Sequence, residues 1–268
     1  MDWVRTDSPI SATLVAWGNA WLTGHIGLDE AVDRVERAAG PQLVAVPVDA
    51  TPATETAGSP LPAEVSAPAA ELADVPLRGF LAELRGEGLT SFRLALPAPG
   101  DPLGLTGPPA FTRSAVAAEQ AAIAVLDGKR LGLVPAEDRR GSSYSGVRWA
   151  TMPAATTDAD VPQLAEAERA LTLTMRSATD ALIGIDGPAQ GFPSLDAADE
   201  ALAPGYPGRA HRLGALAARL SLALRLAEER GLTTSQLTTR NEALRDLDRA
   251  VRRARIAAHH AIVELRTP

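Results

Sequence analysis

Ser91-Phe92-Arg93-Leu94-Ala95-Leu96-Pro97-Ala98-Pro99-Gly100-Asp101-Pro102-Leu103-Gly104-Leu105 is the stretch that decides how this chain is read. Phe92, Leu94 and Leu96 alternate with Arg93 and Ala95, the period of two that marks a strand with one buried face. A loop rich in glycine and proline then runs from 97 to 111 and stops the strand. Thr112 is placed to cap a helix reaching about 127, whose polar face shows at Glu119 and Gln120. Strand, loop and helix in that order predict an α/β unit. It extends backwards through a helix over 77–86, with Phe80, Leu81 and Leu84 inward. It extends forwards through strands at 131–134 and 146–150, read as an antiparallel pair whose connection, 136–145, is long for a hairpin. The α/β core is therefore set at 77–153.

Upstream, Ser8-Pro9 predicts a helix start, and Leu14, Trp17 and Trp21 share one helical face. Leu28, Val32 and Val35 predict a second helix over 28–39, ended by Gly40-Pro41, and 43–46 reads as a short buried strand. These elements make an N-terminal piece over 1–46. Residues 47–76 are rich in Pro, Ala, Thr and Glu without any period, and read as a flexible insertion.

Downstream, 160–268 reads as a helical bundle. Asp160 and Gln163 suggest a capping box for a helix to about 183, with Leu164, Leu171, Met175, Ala178 and Leu182 as its stripe. Loop predominates over 184–208, with a short helix near 195–202. The helix over 209–230 carries leucines on two faces (Leu213, Leu216, Leu220 and Leu224, then Leu222 and Leu226), which predicts a central position. In the helix over 234–265, Leu237, Leu244, Val251, Ala258 and Leu265 recur every seven residues with Leu247 and Ala254 beside them, a coiled-coil-like seam. Gly231 between the two implies an antiparallel hairpin. The expected fold is mixed α/β (α+β), helix-rich, with a small mixed sheet of about four strands and this C-terminal bundle.

Composition narrows the chemistry. The 268 residues are 46% hydrophobic and 22% charged, a globular balance. No cysteine is present, which excludes thiolate nucleophiles, disulfides and thiolate metal sites. Net charge is −7, against whole-surface nucleic-acid binding. The charge is uneven: residues 1–160 carry 12 basic and 20 acidic groups, whereas 207–268 carry 12 and 6. Arginine dominates, Lys129 being the sole lysine. The acidic opening Met1-Asp2-Trp3 does not resemble a secretory signal and no apolar run reaches about 18 residues, so the expectation is a cytoplasmic protein without a membrane span.

Candidate site residues come from three places. At the 98–113 loop, which follows a strand, contains Gly104 and precedes a helix, the free amides around Thr112 to Ala115 could receive an anion, helped by Arg113, and Asp101 could act as base or ligand. The competing reading is a proline-stiffened connection. The loop lacks both the Walker and the dinucleotide spacing. In Asp138-Arg139-Arg140-Gly141-Ser142-Ser143-Tyr144, Arg139 and Arg140 could close over an anionic ligand, or sit on a solvated hairpin tip. On the last helix, Arg245, Arg249, Arg252, Arg253 and Arg255 could read phosphates. Asp248 before Arg252 and Asp246 before Arg249 favour a solvated face with intrahelical pairs instead. His25, His211, His259 and His260 are too scattered for a metal site, no catalytic constellation is present, and no cofactor is implied.

Several of these stretches together resemble an uncharacterised protein family of GC-rich, actinobacterial-type bacteria. They are Leu94 through Pro97, Pro99, Gly100, Asp101, Pro102 and Gly104 to Leu105, then Gly107-Pro108, Phe111 and Leu131-Gly132-Leu133-Val134-Pro135. The resemblance implies no known activity and carries over no functional residue. From the residues themselves the expectation is a non-enzymatic interaction, adaptor or regulatory protein, its partner or second copy seated on the C-terminal helices. Two alternatives stay open: a small anionic-ligand binder or enzyme using the 98–113 loop, and nucleic-acid binding through the arginine-rich helix.

Overall fold

A computed structural model describes residues 8–47, 72–141, 144–157, 161–182, 202–229 and 237–265. The first half runs α1 (Ile10–Leu22), α2 (Leu28–Ala39), β1 (Gln42–Pro47), β2 (Leu72–Pro76), α3 (Leu77–Gly86) and β3 (Leu89–Ala95). There follow α4 (Pro109–Ala118), β4 (Ala121–Leu126), β5 (Lys129–Arg140) and β6 (Tyr144–Ala154). The chain closes with α5 (Leu164–Leu182), α6 (Gly208–Glu229) and α7 (Leu237–Glu264). It is mixed α/β, but the sheet has six strands rather than about four, ordered β2-β1-β6-β5-β4-β3. Only β1 and β6 run parallel; every other neighbouring pair is antiparallel.

The two extra strands correct specific expectations. The helix expected to continue to 127 stops at Ala118, where Glu119 takes a left-handed φ of 57°. Ala121–Leu126 then runs as β4 and turns through Asp127-Gly128 into β5. That helix also begins earlier, behind Pro108, so Thr112 lies inside its first turn and donates its amide to Pro108. At the far edge Leu72–Pro76, assigned to the insertion, pairs with β1 as β2; residues 48–71 lie outside the described residues. Nor is 136–145 a long loop. β5 and β6 stay paired as far as Arg140 opposite Tyr144.

Pleating sends alternate side chains to opposite faces of the sheet. On one face Phe92, Leu94, Ala124, Leu133 and Trp149 join α1, α2, α3 and Ile256 of α7 in one buried cluster. On the other, Ala95, Ile123 and Val134 meet Phe111 and Ala115 of α4. Gly132 of β5 explains how α4 lies so close: a Cβ there would stand 2.3 Å from the Phe111 ring.

α5 and α6 both pack on α7 through Leu171, Leu213, Ala217, Val251 and Ala254. The heptad seam does not continue to its end. From Ala254 to Ile262 α7 is buried on every side, and Leu265 is exposed. The central helix is thus α7, not the leucine-rich α6. Its alanines let it touch α1 and the sheet on one side and α5 and α6 on the other. At the N-terminus, α1 starts behind Pro9 without a side-chain cap from that residue, and Ser8 instead accepts a hydrogen bond from Arg255. Asp160, Gly231, the side chain of Leu237 and the helix expected near 195–202 lie mostly or wholly outside the described residues.

Two glycines give opposite outcomes. Gly132→Ala drives a methyl into Phe111 and should lower stability by about 1–3 kcal/mol. Gly79→Ala in α3, with nothing within 4 Å, should raise it by roughly 0.5–1 kcal/mol. Urea midpoints of the two variants should move in opposite directions from the wild type.

Candidate functional site

β3 has a neighbour on one side alone, so the outward N–H and C=O groups of Phe92, Leu94 and Leu96 need partners elsewhere. Side chains supply them. Asn19 of α1 donates Nδ2–H to Phe92 O (2.9 Å) and accepts from Phe92 N (2.7 Å). Nε2 of His260 in α7 accepts from Leu94 N at 2.9 Å. Arg252, two turns earlier in α7, donates Nη1–H to Leu96 O at 2.9 Å. Around this seam Tyr206 donates to His259 O (2.9 Å), and His259 donates Nδ1–H to Arg255 O (2.7 Å). Burial pushes the Tyr206 phenol upward, with Asn19 pulling it partly back. Burial, then Arg93 and His259, hold His260 neutral by pushing its pKa down to about 3.

Just past β3, Ala98 and Asp101 exchange two backbone hydrogen bonds of 2.9 Å in a tight turn. The turn aims the Asp101 carboxylate at α7, where Oδ2 accepts from Arg252 Nη2 (3.0 Å) and Arg249 Nε (3.1 Å). Arg252 Nε also donates to Asp248 at 2.8 Å. Asp101 is thereby committed to anchoring the loop on α7. Arg249 and Arg252, read from sequence as a solvated face with intrahelical partners, are the groups that hold it; of the two expected pairs, Asp248–Arg252 forms.

The other sequence-named residues do not gather around Asp101. Gly104, at φ 82°, lies against β3, where a Cβ would stand 3.2 Å from Ala95 Cα. The amide of Thr112, expected to be free for an anion, donates to Pro108 O within the helix. Arg113 is exposed on α4. Arg139 and Arg140 sit at the far end of the β5–β6 ribbon; the 98–113 loop meets its base, where Ala155 N donates to Gly107 O. Ten residues of strand, roughly 33 Å, separate the two ends. Arg139 pairs with Glu137; Arg140 pairs with Asp138 and Asp74 and covers the Tyr144 ring.

Behind Arg252 opens a cleft of about 630 Å³. The start of α1, the strand end Leu96–Ala98, the end of α4, and helices α6 and α7 surround it. Arg225, Arg252 and Arg255 all line it, with Asp248, Glu119, Ser8 and Ser221. Arg255 is only 3% exposed and donates to Ser8 Oγ at 3.1 Å. At the rim, Gln120 Oε1 accepts from Ser11 N (3.0 Å), tying the end of α4 to the first turn of α1. That end of α1 carries the positive pole of the helix dipole. Sequence reasoning passed over Arg225 and the inward aim of Arg255. A signal was present: Arg255 stands between Ala254 and Ile256 in an otherwise apolar run, three residues after Arg252 and so on its face.

The family model of the Rv1486c-like protein, N-terminal domain, matches residues 11–167, and that of the C-terminal domain matches residues 165–256. The chain belongs to the Rv1486c-like family. Its relatives include the uncharacterised protein Rv1486c of Mycobacterium tuberculosis, 30% identical over 291 residues, which cover 96% of this chain and 98% of the relative. An uncharacterised protein of Mycobacterium leprae is 29% identical over 307 residues, with the same coverage. The relatives are thus actinobacterial, as the resemblance implied, and bring no activity with them. No solved structure matches the chain. The two Rv1486c-like domains meet at the start of α5, so the cleft takes Leu96 and Glu119 from one and its three arginines from the other. No helix among the described residues is long and apolar enough to cross a membrane.

The His260 contact makes stability depend on pH. The unfolded chain binds a proton near pH 6.5 that the folded chain refuses until about pH 3. The stabilisation is therefore complete above about pH 6.5 and is lost as pH falls, at up to about 1.4 kcal/mol per unit. Urea unfolding at pH 7 and pH 5 should show this loss. In His260→Gln, whose amide oxygen can still accept from Leu94 N, that share of the slope should vanish.

Proposed function

We propose that this Rv1486c-like protein binds a small anionic ligand at the junction of its two family domains. The observation that carries the reading is the convergence of Arg225, Arg252 and Arg255 on one cleft. Junctions between domains are common places for ligand pockets. Guanidinium groups held by neighbours keep their direction, and charge-assisted bonds to phosphate or carboxylate are about twice as strong as neutral ones. Arg252 is fixed by Asp101, Asp248 and Leu96 O. Arg255 is fixed by burial and Ser8. The reading keeps the anionic-ligand alternative but moves it from the 98–113 loop to the strand end beside that loop. It assigns binding and no reaction.

The interaction-protein reading has its own supporting observation. Between α5 and α7 runs a groove of about 590 Å³, lined by six alanines and the 62% exposed Leu173 together with charged residues such as Glu166, Asp246 and Arg253. Such a face suits a partner helix.

Inorganic phosphate and pyrophosphate test the first reading by thermal shift and calorimetric titration. Binding at one hundred times Kd should stabilise the protein by about 2.7 kcal/mol, a rise in Tm of several degrees for a chain of this size. Arg225→Gln, a change outside the fixed seam, should weaken binding roughly tenfold or more. No anion-dependent shift at millimolar concentration, or full affinity in Arg225→Gln, would overturn the proposal.

A further inference from the structure

The cleft carries more than positive charge. Two carboxylates, Asp248 and Glu119, stand among its arginines. A simple anion gains nothing from them. A ligand that also presents hydrogen-bond donors does, because each carboxylate accepts through two oxygens. Asp248 is already paired with Arg252 at 2.8 Å, which favours a hydroxyl over an ammonium group as its further donor. An acceptor with its charge compensated suits a neutral O–H.

Glu119 supplies an independent sign. Among the described residues it is the one non-glycine with a left-handed φ, 57°. It ends α4 at a position where glycine or asparagine is usual. Backbone strain of this kind is characteristic of binding sites. This residue lies on the wall of the cleft, beside Arg225, Arg252 and Arg255.

Among the described lining residues none is aromatic. A nucleobase would find no ring to stack on, and stacking is a main source of base affinity. The apolar wall is small and aliphatic, from Ile10, Leu96, Pro97, Ala117 and Ala118. At about 630 Å³ the cleft also exceeds what a bare phosphate would fill.

We infer that the ligand is a phosphorylated polyol of the sugar-phosphate class, its phosphate on Arg225 and Arg255 and its hydroxyls donating to Glu119 and Asp248. This rests on the anion-binding reading above and adds the ligand class to it.

Calorimetric titration of the full chain with inorganic phosphate, AMP, phosphoserine, and a panel of glucose 6-phosphate, fructose 6-phosphate and glycerol 3-phosphate tests it. At least one panel member should bind tenfold or more tighter than inorganic phosphate, AMP and phosphoserine. Glu119→Ala, which removes the acceptor altogether, should bring that member down towards the level of inorganic phosphate without lowering phosphate affinity. Glu119→Gly, which relieves the left-handed backbone, should raise Tm and lose the same preference, so lost binding cannot be assigned to a failed fold. The inference is overturned if no panel member exceeds inorganic phosphate, if AMP or phosphoserine binds as tightly as the panel, or if either Glu119 variant keeps the preference. Absence of phosphate binding altogether would instead defeat the anion-binding reading.

Discussion

The outer edge of β3 is the constraint on which the rest of the structure depends. A strand at the rim of a sheet presents amides and carbonyls that must be satisfied by water or by protein. Here the rim is covered by α1 and α7, so water is displaced and side chains take its place. Asn19 answers both groups of Phe92, His260 answers the amide of Leu94, and Arg252 answers the carbonyl of Leu96. Each such group left unmatched in the interior costs about 1–3 kcal/mol. The positions of α1 and α7 on the sheet are therefore fixed by directional bonds and not by apolar contact alone.

The same bonds shape the cleft. Arg252 is both the last clamp on the strand and part of the cleft wall, and its neighbour Arg255 is buried one turn further along. Because α7 is held in register by His260, its two guanidiniums are held in register as well. Asp101 completes this arrangement from the loop side. Directional hydrogen bonds thus cross the domain junction beside the cleft.

Much of the architecture was legible from periodicity. The alternation at Phe92, Leu94 and Leu96 located β3 and its buried face, and the spacing of Val32 and Val35 located α2. What escaped had weaker or ambiguous signals. Ala121–Leu126 is an unbroken apolar run rich in alanine, a good helix former, and reads equally as helix or buried strand. The Asp127-Gly128 pair that follows, a favoured two-residue hairpin turn, could have settled it. β2 was hidden by the low-complexity composition before it. The candidate site was less legible for a physical reason: its residues come from five elements spread from Ser8 to Arg255, and no local pattern reports that juxtaposition. Asp101, read as a candidate base or ligand, instead holds arginines about 150 positions away, a pairing that no local pattern announces.

That separation has a consequence for the order in which the chain can be completed. Residues 252–260, which close the rim of β3 at Leu94 and Leu96, leave the ribosome about 160 residues after β3. At the usual pace of about 5–20 residues per second, the nascent strand edge stays uncovered at Leu94 and Leu96 for roughly ten to thirty seconds. During that interval β3 is a template for pairing with another chain. Docking of α7 is therefore also the step that closes this part of the edge to misassembly.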